Sequence, residues 1–65
     1  MEHPLRAART RRKLTQRELA EMAGVDHSTI VKIENSDRHG SWETYHRLGR
    51  ALGIDFRKLL PDARG

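Results

Sequence analysis

The chain has no cysteine among its 65 residues. That excludes a disulfide framework and a thiolate metal site. A domain of this size buries only about 60% of its extended-chain surface. Without covalent staples, its stability must come from close helix packing or from a partner subunit. The missing cysteines also fit a cytosolic setting. No apolar run approaches the ~20 residues of a membrane span, and the N-terminus lacks the apolar core of a signal peptide. The expectation is a soluble, cytoplasmic protein with no membrane partner.

Catalytic and metal chemistry are equally thin. There is no nucleophile motif, no glycine-rich phosphate loop and no room for a sizeable pocket, so neither an enzyme nor a cofactor is expected. The histidines His3, His27, His39 and His46 form no pair at i, i+3 or i, i+4, and zinc spacing is absent.

What the chain does have is positive charge, and its distribution says more than the sum. The net charge is +4, and residues 1–17 hold Arg6, Arg9, Arg11, Arg12, Lys13 and Arg17 against Glu2 alone. A clustered positive field on a small domain points to a polyanion, most often nucleic acid. A solvated helix face that keeps the chain soluble explains the same charge, so composition alone leaves both readings open. An anionic membrane surface is disfavoured, because Leu5 and Ala8 make too thin an apolar face to insert.

Periodicity predicts helices throughout and no strand. The first runs from about Pro4 to Lys13, with Pro4 suited to a first turn where its missing N–H costs nothing. The second starts at Thr15, where Thr15-Gln16-Arg17-Glu18 fits a capping box. Leu19, Ala20 and Ala23 share a face, and Gly24 ends the helix in the left-handed conformation that only glycine adopts cheaply. Asp26 caps a third helix from about His27 to Asn35, with Ile30 and Ile33 on one face. A loop follows through Gly40. Ser41 caps a fourth helix with apolar positions Trp42, Tyr45, Leu48 and Leu52, ended by Gly53. Asp55 caps a short fifth helix bearing Phe56, Leu59 and Leu60, and Pro61 stops it. The whole reads as one all-α, compact five-helix domain over residues 1–65.

The closeness of the second and third helices carries the argument. Two helices joined by so short a turn nearly touch at the joint. Ala20 is small where the backbones approach, Gly24 supplies the positive φ, Val25 plugs the gap, and Leu19, Ala23, Ile30 and Ile33 fill the shared core. These are the demands of a helix-turn-helix, with its motif at about residues 15–35. Gln16, Leu19, Ala20, Ala23, Gly24, Val25, Ile30, Ile33 and Glu34, together with "SWETYHRLGRALGIDFRKLL", resemble the Cro and phage-repressor type of helix-turn-helix domain, the lambda-repressor-like or xenobiotic-response-element-like family. The chain departs from that pattern at Lys13, where the family often has glycine, at Gly40, where it often has proline, and at Trp42 and Tyr45, which replace aliphatics.

The resemblance implies a small sequence-specific regulator that binds double-stranded DNA, with the third helix in the major groove. His27, Ser28, Thr29 and Lys32 then become candidate base contacts. Gln16 and Arg38 become candidate phosphate contacts. Ser28 and Thr29 have a competing role as plain helix-start residues, and Asp26 reads as a cap. In the family the acid at Glu34 pairs with a first-helix arginine, which maps to Arg9. A homodimer on a palindromic operator is expected, with Phe56 at the interface. Repression by occluding promoter DNA is the expected mode, with activation by contacting RNA polymerase as the alternative, and a toxin is a candidate further partner. The rival reading is an antitoxin or protein-binding helix-turn-helix module. With no room for a ligand-sensing domain, control is expected through concentration or a partner. A bacterial or phage, nucleoid-associated setting follows from the resemblance.

Overall fold

The structure is a computed structural model that describes residues 3–35 and 41–60. Four α-helices and one closing 3-10 turn follow each other in the described residues: α1 (Pro4–Arg11), α2 (Gln16–Ala23), α3 (His27–Asn35), α4 (Trp42–Leu52) and the turn Phe56–Leu59. No strand occurs among the described residues. No described helix is long and apolar enough to cross a membrane.

Each helix start has a local cause. His3 caps α1, its ring Nδ1 accepting the Leu5 amide at 3.0 Å, and Pro4 occupies the first turn. The capping box at α2 is complete. The Thr15 hydroxyl accepts the Glu18 amide at 2.9 Å, and the Glu18 carboxylate accepts the Thr15 amide at 2.8 Å. At α3 the Asp26 carbonyl receives the amides of Thr29 and Ile30. The Ser41 hydroxyl accepts the Thr44 amide at α4. Asp55 opens the closing turn by accepting the Arg57 amide at 3.0 Å. Hydrogen bonds from the Arg57 side chain, then from its amide, hold the Asp55 carboxyl down to about 2. Since the folded value is depressed, any stability it lends is present above the ordinary carboxylate range and lost as the pH falls towards 2.

The helix ends share one device. Gly24 and Gly53 both stand at φ 72°. Val25 then donates to the Ala20 carbonyl, and Ile54 to the Gly49 carbonyl, as a left-handed terminus requires. Lys13 does the same for α1 at φ 57°, with its amide on Thr10 and the Leu14 amide on Arg9. Helix α1 therefore stops at Arg11, two residues short of expectation. Glycine suits this position because a lysine Cβ is strained there.

Leu5, Leu19, Ile30, Ile33, Leu48 and Leu59 are fully buried, with Ala8, Ala20, Tyr45 and Leu52 completing the core. Helix α2 packs on α3 and α4, α1 touches α3 and the closing turn, and the turn folds back on α4. The expected short fifth helix is present, as a 3-10 turn of four residues capped by Asp55 that drops Leu59 into the core. One expectation needs correction. Trp42 does not join the core and is 70% exposed. It lies on the flank of α4 shared with His46 and Gly49, which faces the closing turn, whereas Tyr45, Leu48 and Leu52 face inward. Its ring meets Phe56 edge-on at 5.4 Å.

Gly49 explains the tight return. A Cβ there would stand 2.9 Å from both the Ile54 carbonyl oxygen and the Phe56 Cα. Gly49→Ala should therefore destabilise by ~1–3 kcal/mol through overpacking, despite the roughly 1 kcal/mol that alanine gains in helix propensity. Lys13→Gly should act oppositely, raising the melting temperature by relieving left-handed strain of about 1 kcal/mol. Thermal melts of both variants check the pair of signs.

Candidate nucleic-acid interface

The site starts from one buried charge pair. Arg9 Nε meets Glu34 Oε2 at 2.8 Å, and its Nη2 meets Glu34 Oε1 at 3.1 Å. The two side chains are only 11% and 3% exposed. Arg9 Nη1 also donates to the Leu14 carbonyl at 2.7 Å. Gln16 Nε2 adds a third bond to the carboxylate, reaching Glu34 Oε1 at 3.0 Å. One carboxylate near the end of α3 thus ties down the end of α1, the turn after it and the first residue of α2. At the other end of the motif, Arg47 on α4 donates to the Gly24 carbonyl at 3.2 Å and pairs with Glu43. The short joint between α2 and α3 is held from both sides.

With Ile30 and Ile33 fully buried, the opposite side of α3 faces solvent. Ser28, Lys32 and Asn35 are exposed there, with half-buried Val31 among them. Their i, i+3, i+4, i+7 spacing makes one stripe. No hydrogen bond or ion pair engages Ser28, Lys32 or Asn35 side chains among the described residues. The remaining candidates sit elsewhere. Thr29 is half-buried in the cleft between α3 and α4, beside Thr44 and Arg47. His27 is half-buried on the flank that carries Glu34. Gln16 is partly committed to Glu34, which leaves its second amide N–H, the donor a phosphate contact needs, and its carbonyl oxygen. Arg38 lies outside the described residues. Phe56 is half-buried between Trp42 and His46, with ring centroids at 5.4 and 5.5 Å. No group of residues suited to hold a metal occurs among the described residues.

Residues 3–61 match a family described as a helix-turn-helix domain. The chain belongs to that helix-turn-helix family. It is also 48% identical over 40 residues to an uncharacterized HTH-type transcriptional regulator of Methanothermobacter thermautotrophicus, a match covering 62% of the chain and 58% of that protein. No solved structure matches the chain. The family is a DNA-binding, non-enzymatic kind.

In this helix-turn-helix domain, Val31 and Asn35 were invisible as interface candidates from sequence. Val31 reads as core by its apolar character, and Asn35 as a helix end. The signal that finds them is the register set by Ile30 and Ile33: positions displaced to the far side of α3 are 28, 31, 32 and 35. Gln16 also has a structural bond that spacing could not show, because its partner Glu34 is 18 residues away.

The Arg9–Glu34 pair yields a direct test. Arg9→Met strands a buried carboxylate and Glu34→Gln a buried guanidinium, so each should cost ~3–5 kcal/mol. The double variant should regain part of that loss. Melting curves of the four proteins measure the coupling, and simple additivity would show that the pair contributes nothing beyond its separate members.

Proposed function

We propose that this domain binds double-stranded DNA with the outer stripe of α3 in the major groove, and that it regulates transcription as a homodimer, by occluding promoter DNA. The observation that carries the reading is the free polar stripe itself. Among the described residues, Ser28, Lys32 and Asn35 side chains have no partners, while Arg9, Gln16 and Glu34 beside them are locked together to hold the helix in place. An interface that reads bases needs this combination of unspent donors and a fixed scaffold. Lys32 suits guanine O6 and N7. Asn35 suits adenine when it can reach, and Val31 offers an apolar contact to a thymine methyl. The exposed first turn of α2, with Arg17, is the candidate for the sugar-phosphate backbone, where charge and helix amides act together. Arg38, which follows α3 in the sequence, is a further candidate for a phosphate contact.

Base readers and backbone holders should separate in measurement. Lys32→Ala should lower the ratio of operator to random-duplex affinity by ~1–3 kcal/mol. Arg17→Ala should weaken all sequences alike and flatten the log–log salt slope by ~1 unit. The operator is first selected from a random DNA pool, and affinities are read by fluorescence anisotropy. Absence of DNA binding at low salt would favour the antitoxin or protein-binding reading.

The homodimer rests on the aromatic face of α4 and the closing turn, where exposed Trp42 leans on Phe56. Large exposed aromatics are the residues that most often anchor interfaces. Phe56 remains a proposed interface residue, but its packing against Gly49 makes Phe56→Glu a test of folding as much as of assembly. Trp42→Glu is cleaner. Sedimentation at micromolar concentration should show a wild-type dimer on the operator and a Trp42→Glu monomer with an unchanged helical circular dichroism spectrum. Dimerisation would space half-sites ~34 Å apart. A wild-type monomer on operator DNA would contradict the homodimer.

A further inference from the structure

The flank of α1 that meets the closing turn forms a groove of about 280 Å³. Ala7, Ala8 and Ile54 make its apolar floor, and Arg11, Arg12 and Lys58 stand around it. Three cations from two elements converge there, and no carboxylate of the described residues lines it. Arg11 and Lys58 make no ion pair among the described residues. Arg12 gives one N–H to the Ala8 carbonyl at 3.0 Å and keeps its other donors. The nearby acid Asp55 feels the field of Lys58, but its hydrogen bonds go to Arg57, with Oδ2 to Nη2 at 2.8 Å.

The groove does not belong to the α3 surface. Arg9 and Arg11 are two positions apart, so they leave α1 from nearly opposite sides. Arg9 points to Glu34 and α3, and Arg11 to the groove. Nor is it built for a lone phosphate. Such sites use free backbone amides at a helix start, and here the Leu5 amide is bound by the His3 ring and the Ala7 amide by the His3 carbonyl. What remains is a row of forked and point cations over an apolar floor.

We propose that this groove docks an acidic segment of a partner protein. Carboxylates of successive Asp or Glu residues would meet Arg11, Arg12 and Lys58, whose guanidinium forks take carboxylates two bonds at a time. Apolar side chains between them would rest on Ala7, Ala8 and Ile54. Such a contact would leave α3 clear, so the partner and DNA can be held together.

The probe is a fluorescein-labelled peptide of alternating Glu and Leu, about ten residues long, titrated with the full chain at low salt. Arg11→Gln with Lys58→Gln is compared with Arg17→Gln with Arg50→Gln, a control of equal net charge. All four side chains are exposed, and circular dichroism confirms that both variants fold. The groove variant should weaken peptide binding about ten-fold, the scale of two exposed charge contacts. The control should weaken it less than about two-fold, and the groove variant should keep its affinity for random duplex DNA. Three results would overturn the proposal: no binding by the wild type, equal weakening by the two variants, or a loss of duplex affinity in the groove variant as large as its loss of peptide affinity. The last would assign these cations to a DNA track.

Discussion

Everything that makes α3 a usable surface depends on the carboxylate of Glu34. It accepts bonds from Arg9 and Gln16, and Arg9 in turn holds the Leu14 carbonyl. Burying a charge is costly unless it is paired and hydrogen-bonded, and here a single bidentate pair with a third donor meets that condition. The geometric consequence outweighs the energetic one. A charge pair replaced by apolar side chains often costs nothing in stability, but apolar contacts would not fix the angle between α3 and the start of α2. If both helices meet DNA as proposed, that angle decides whether the α3 stripe and the first turn of α2 can reach one duplex.

A second constraint is brevity. The ends of α1, α2 and α4 each close within one or two residues. Gly24 and Gly53 do so without strain, and Lys13 does so with it. Gly49 is small for a different reason: the chain after α4 turns back against it, which lets Leu59 reach the core. The tight return also leaves the Trp42 ring exposed, edge-on to Phe56.

Local chemistry was legible in the sequence. The capping box at Thr15, the start of α3 after Asp26, the stop at Gly24 and the core pair Ile30 and Ile33 all follow from spacing, because cause and effect lie within one turn. Features made by distant residues were not legible from spacing. The Arg9–Glu34 pair spans 25 positions and was reachable only through family resemblance. Gly49 looks like a weak spot in a helix until the return of Phe56 is seen. His3 caps α1 although histidine is not a preferred cap. Trp42 fits the 3-3-4 rhythm of α4 and is still exposed, because spacing alone does not show that its flank, shared with His46 and Gly49, meets the closing turn rather than the core. The same limit hid Val31 and Asn35, whose exposure depends on what the far side of α3 packs against.

The central claim is that the stripe opposite Ile30 and Ile33 is the surface that meets DNA. Amide and side-chain chemical-shift mapping of the ¹⁵N-labelled protein, titrated with a duplex selected from a random pool, tests it directly. The largest shifts should fall on Ser28, Val31, Lys32 and Asn35 and on the first turn of α2, with the Arg9 and Glu34 signals little moved because that pair is already formed. Shifts concentrated on α1 and the closing turn, or on Trp42 and His46, with α3 undisturbed, would contradict the account.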